Sequence, residues 1–210
     1  AAIKDYRPKS SSLSSGQVLP EPYPHEKARL IVREMADQLS LELVEKGLVC
    51  SQFVLDIGYD AENLSAPVRQ KTYHGPIKTD RYGRAVPAAA HGSANLSVPA
   101  SSARILMQAA AEVFDRIADS RLSVRRVTVT AAGLLRQEEA QLVGGDQLDF
   151  FGNYAAHQQQ KAELERELSG QQAIVALRQK YGKNAVLRGM DLQEGATTKG
   201  RNGQIGGHKA

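Results

Sequence analysis

The sequence predicts an α+β fold: a four-stranded antiparallel sheet with two helices on one face. Three observations predict it. Two stretches repeat apolar residues at three- and four-residue steps, the signature of a half-buried helix. Three stretches alternate apolar with polar residues, the period of a strand with one buried side, and a fourth, Ser-rich run closed by prolines reads as a further strand. Their order is strand, helix, strand, strand, helix, strand, a split β-α-β-β-α-β pattern that leaves the sheet face opposite the helices open.

The first strand is the Ser-rich run from Ser10 to Leu19, closed by Pro20 and Pro22. A helix follows from about Pro24 to Lys46, since Pro suits a first helical position and Ala28, Ile31, Val32, Met35, Leu39 and Leu43 form one stripe. Gly47 ends it. Leu48 to Ile57 alternates as the second strand. A long connector then runs to about Ala90, with turns at Gly75-Pro76 and at Asp80-Arg81-Tyr82-Gly83-Arg84. His91 to Val98 is the third strand. Pro99 and Ser101 open the second helix, with Ser101 as its predicted cap, and Leu106, Ala110, Val113, Phe114 and Ile117 are its buried stripe. The fourth strand spans Leu122 to Val129, and its alternation slips phase at Arg125-Arg126, as a β-bulge or a late strand start would make it do.

Around this domain, at about 10–135, the sequence divides into further parts. Residues 1–9 read as a connector and 136–153 as a polar, acidic linker broken at Gly144-Gly145. Residues 154–182 form a helical tail with a thin apolar stripe, and 183–210 a Gly-rich basic tail. A short element is expected at 183–192 and disorder beyond it. The chain opens Ala1-Ala2-Ile3 without an initiator Met, which leads us to expect the C-terminal piece of a longer protein.

Composition narrows the function classes. The net charge of +4 is mild, but residues 69–126 hold 10 basic and 4 acidic side chains, a footprint suited to a polyanion. A lone cysteine, Cys50, excludes an internal disulfide and fits a reducing cytosol, so a cytoplasmic location is expected. No apolar run approaches the ~20 residues that span a bilayer. There is no phosphate-binding glycine loop and no Ser/His/Asp arrangement that stands out. Asp56 and Asp60 lack a third carboxylate for a metal, and the five histidines are scattered. No catalytic residue, metal ligand or cofactor site is therefore assigned.

What remains points to contact surfaces. Ser12, Ser14 and Ser15 bring hydroxyls with little bulk, which let a backbone approach a phosphate, although an ordinary exposed edge strand has the same composition. Ser93 and Asn95 are expected on the open face, together with the Arg125-Arg126 pair, which offers two forked donors to phosphate oxygens. The connector interleaves Lys71, His74, Lys78, Arg81 and Arg84 with Tyr73 and Tyr82, a mixture that suits nucleic acid as well as a solvated loop. Gln147, Leu148, Asp149, Phe150 and Phe151 set an amide and three large apolar groups in polar surroundings, where they cannot bury themselves locally. That is the character of a docking peptide.

Two resemblances sharpen these readings. Gln147-Leu148-Asp149-Phe150-Phe151 resembles the peptide by which bacterial polymerases and repair proteins bind the sliding clamp, with Phe150 where Leu is more usual. Ser12 to Leu19, Leu43 to Val49, Gly58-Tyr59-Asp60, Thr79 to Arg84, His91-Gly92, Val124 to Val127, Gly195 to Thr198 and Arg201 to Ala210 together resemble the C-terminal part of Y-family translesion DNA polymerases. The likeness is to the UmuC/MucB/ImpB group of Gram-positive bacteria and covers nearly the whole chain. It implies a little-finger domain that grips damaged primer–template DNA through Ser12, Ser14, Ser15, His91, Ser93, Arg125 and Arg126. It implies recruitment to the sliding clamp by 147–151, and a role in lesion bypass during the SOS response. The family's Ser-x-Asp-Glu carboxylates and their Mg ions belong to a palm domain expected upstream of Ala1. A stand-alone adaptor linking DNA to the clamp is the alternative.

Overall fold

Alternating apolar residues build the sheet described by the computed structural model, which covers residues 12–65, 73–143, 154–205 and 208–209. Four strands, β1 (Ser12–Tyr23), β2 (Leu48–Tyr59), β5 (Ala90–Ala100) and β6 (Val124–Arg136), lie in the order β1-β6-β2-β5, every pair antiparallel. Two split units interlock. β1, α1 (His25–Glu45) and β2 enclose β6, while β5, α3 (Ala103–Ile117) and β6 enclose β2.

The core lies between the sheet and these two helices. Leu19, Phe53, Leu55, Ile57, Val127 and Val129 meet Ile31, Met35 and Leu39 of α1 and Leu106, Val113 and Phe114 of α3. Gly92 sits where α3 presses closest to the sheet, since a Cβ there would lie 2.7 Å from Ile117 Cγ2. Cys50 is buried in the same core, and burial pushes its thiol up to about 11.

Several boundaries differ from the sequence reading. β1 continues through Pro20 and Pro22 to Tyr23. It is an edge strand whose register breaks between Val18 and Tyr23, so neither proline is asked for a ladder donor. Pro99 lies inside the end of β5, which runs to Ala100, instead of starting a helix. Ser102, not Ser101, caps α3, its Oγ accepting from Ile105 N at 3.2 Å. β6 starts two residues late and runs on to Arg136, kinking at Gly133, whose φ of 63° and contact with Ser51 exclude a side chain. The expected bulge is present: Gly58 pairs with Arg126 and Tyr59 with Val124, leaving Arg125 as the extra residue. The connector is structured where it is described, with a short helix α2 (Glu62–Ser65) and a hairpin of β3 (Ile77–Thr79) and β4 (Ala85–Pro87).

The largest correction concerns the C-terminal region. After α4 (Gln137–Val143), helix α5 (Tyr154–Tyr181), a 3₁₀ turn (Gly189–Leu192), α6 (Thr198–Arg201) and the short pair β7 (Gln204–Ile205) and β8 (His208–Lys209) follow. The disorder expected after Leu192 is not found at 193–205. This region forms a further layer packed on α1, and many of its contacts are polar. Glu34, 1% exposed, accepts from Thr197 N at 2.9 Å and Thr198 N at 3.2 Å. Asp37 accepts from Arg188 Nε at 2.6 Å. Gln171 donates to Ser40 Oγ and to the Ser101 carbonyl, while Glu167 accepts from Ser102 Oγ and Arg104 N at the start of α3.

Candidate nucleic-acid interface

The strand registers arrange the open face into rows that cross all four strands. Ser12, Ala132, Gln52 and Asn95 form one row, and Ser14, Thr130, Val54 and Ser93 the next. Gly16, Thr128, Asp56 and His91 make the third, and Val18, Arg126 and Gly58 begin the fourth. Small hydroxyl, amide and glycine positions dominate, so the backbone lies near the surface over most of this face. Some hydroxyls already hydrogen-bond across strands, with Ser14 Oγ and Thr130 Oγ1 2.9 Å apart, and Gln52 Nε2 donates to Asn95 Oδ1 at 2.9 Å.

Charge gathers at the fourth-row end. Arg126 is exposed there and lies over Gly58, where an added Cβ would come within 3.1 Å of Arg126 Cβ. Glycine at 58 therefore gives the arginine its room. Arg125, thrown out by the bulge, reaches Asp60 with Nε 3.6 Å from Oδ2. His91 Nδ1 lies 2.7 Å from Asp56 Oδ1, and Asp56 is the one carboxylate in the rows.

The residues chosen from sequence divide as follows. Ser12, Ser14, His91, Ser93 and Arg126 share the open face, and Arg125 stands at its edge. Ser15 does not join them. It alternates onto the helix side, where it lines a cavity of about 490 Å³ between α1 and the C-terminal layer, together with Gln38, Glu42, Arg178 and Arg201. A strand places neighbours on opposite sides, so three consecutive-looking serines could not all meet one ligand. Gln147, Leu148, Asp149, Phe150 and Phe151 lie outside the described residues.

Thr128, Thr130 and the glycines at 16 and 58 were missed. The threonines' signal was present, since Thr128 and Thr130 alternate with Val127, Val129 and Ala131, although Thr130 lies past the expected strand end. Among the described residues no three His, Cys, Asp or Glu side chains gather as metal ligands, and no helix is long and apolar enough to cross a membrane.

Residues 10–144 match the family model described as the impB/mucB/samB family C-terminal domain. The chain belongs to this family. The match spans β1 through α4, the domain that presents the open face, and agrees with the resemblance drawn from its motifs. An impB/mucB/samB C-terminal domain is the C-terminal region of a Y-family polymerase, within the chemistry of translesion DNA repair. The α5–α6 layer lies beyond the matched residues, yet packs on the impB/mucB/samB domain through Glu34 and Asp37. No curated protein matches the chain.

Proposed function

We propose that this chain is the DNA-gripping and clamp-docking end of an error-prone lesion-bypass polymerase acting in the SOS response. The observation that carries the first half is the open face: rows of small polar side chains with an arginine at one end, Arg126, seated on a glycine. Such a surface fits a duplex backbone closely and holds phosphates without reading bases, which suits an enzyme that accepts damaged template. Ser12, Ser14, His91, Ser93 and Arg126 are the contacts, with Arg125 moving from Asp60 to a phosphate. Ser15 is left out of this set because its side chain faces the helices.

The clamp half rests on Gln147-Leu148-Asp149-Phe150-Phe151 alone. Tethered to a sliding clamp, a weak DNA grip becomes effective because the second contact is intramolecular. Nucleotide incorporation, with its Mg ions, is assigned to a palm domain on another part of the polymerase.

Two binding measurements test the reading. The chain should bind primer–template DNA without sequence preference and with an affinity that falls steeply with salt. It should also bind a bacterial sliding clamp, and a Gln147→Ala, Leu148→Ala, Phe151→Ala triple variant should not. Equal clamp binding by both proteins would remove the clamp half. Salt-insensitive or absent DNA binding would remove the other.

A further inference from the structure

The β3–β4 hairpin stands apart from everything the open face explains. All three residues of β3 are exposed, and a two-stranded hairpin without a core is marginal in water. This one is nonetheless held in a single shape. Asp80 Oδ1 accepts from Tyr82 N and Arg84 N, both at 2.9 Å, and Oδ2 accepts from Arg84 Nε at 2.9 Å. Asp80 N in turn donates to the Arg84 carbonyl, and Gly83 takes the positive φ of 78° that closes the loop. At the base, Pro87 is buried and Ala88 N donates to the Pro76 carbonyl.

What this frame presents is Tyr82, 67% exposed at the tip, with the guanidiniums of Arg81 and Arg84 4.7 and 5.3 Å from its ring centre. A solvent-facing aromatic ring layered with guanidiniums is a stacking platform with its own phosphate donors. Held rigid, it loses little entropy on binding. Its position also fits. The hairpin packs against α2 and β2 and leads within two residues into β5, whose His91 lies in the row beside Arg126. It therefore springs from the basic end of the open face. A duplex keeps its base faces stacked and shut, so a ring offered this way matches an unpaired base.

We propose that the hairpin is a second DNA contact, which stacks an unpaired template base on Tyr82 and holds the flanking phosphates with Arg81 and Arg84. The proposal rests on the DNA-binding reading above and extends it from duplex to single strand.

Fluorescence anisotropy with two labelled DNAs tests it: a blunt duplex, and the same duplex with a single-stranded 5′ template extension. The full chain should bind the extended DNA more tightly. Tyr82→Ala should remove that gain, about tenfold on the stacking scale, and leave blunt-duplex affinity unchanged. Tyr82→Phe should keep the gain. Asp80→Ala, which frees the loop while leaving Tyr82 in place, should lose part of it. Equal binding of both DNAs by the wild type, or a Tyr82→Ala variant that is unchanged on both or weakened equally on both, overturns the hairpin proposal while the duplex grip stands. A wild type that binds neither DNA ends the DNA-binding reading itself, and the hairpin proposal with it.

Discussion

Arg126 shows how one side chain depends on the residue beside it. Its Val18 and Gly58 neighbours in the row leave it exposed, and Gly58 supplies the space under its stem. Removing the charge with Arg126→Ala should weaken duplex binding by roughly tenfold and lower the salt slope by about one, uniformly across sequences. An unchanged slope would show that Arg126 meets no phosphate. Gly92 is a structural counterpart. Gly92→Ala sets a methyl against Ile117 and Val113 and should cost about 1–3 kcal/mol of stability by overpacking, measured by denaturant unfolding.

At the level of elements, the decisive contact is α1 with the C-terminal layer. α1 is buried on both sides, by apolar residues toward the sheet and by Glu34, Asp37 and Ser40 toward the layer. Its carboxylates are met from 150 or more residues away, Asp37 Oδ1 by Arg188 and Glu34 by the amides of Thr197 and Thr198, while Asp37 Oδ2 is buried without a hydrogen-bond partner. Arg188→Ala would leave Asp37 buried without its cation. Because Arg188 is itself 38% exposed and water can enter the gap, we expect a cost of about 1–3 kcal/mol, below that of a fully buried pair. Thermal unfolding checks it, and a variant as stable as the wild type would show that the layer contributes little.

For the whole molecule, the same contact makes stability depend on pH. Burial raises the carboxyl of Glu34, against the opposing hydrogen bonds of Thr197 and Thr198, and burial raises that of Asp37, against Arg188. Both groups then hold a proton more readily folded than unfolded, so stability falls as pH climbs above their ordinary values of 4.5 and 3.8 toward the raised ones. Asp80, Asp115, Asp119 and Glu194 are lowered by their partners, and their contribution is lost only as pH falls below the ordinary range. The melting temperature should therefore decline as pH rises above the ordinary carboxylate range, and Glu34→Gln should flatten that decline. A rise above that range would contradict it.

The sheet, the two helices on it and their order are legible in the sequence, because each element turns an apolar face to the core and that one-sided apolar pattern writes a period into the chain. Ile31, Met35 and Leu39 at helical spacing, and Val127, Val129 and Ala131 at strand spacing, are legible for that reason. The bulge was legible as a broken period at Arg125-Arg126, and the family as a set of short motifs. Tertiary structure alone decided the rest. Ser15 turns from Ser14 to the other side because β1 is pleated, and the C-terminal region folds onto α1 through single carboxylates and arginines. Polar pairs between distant residues leave no periodicity, so Glu34, Asp37 and Arg188 read as surface charge until the fold brings them together.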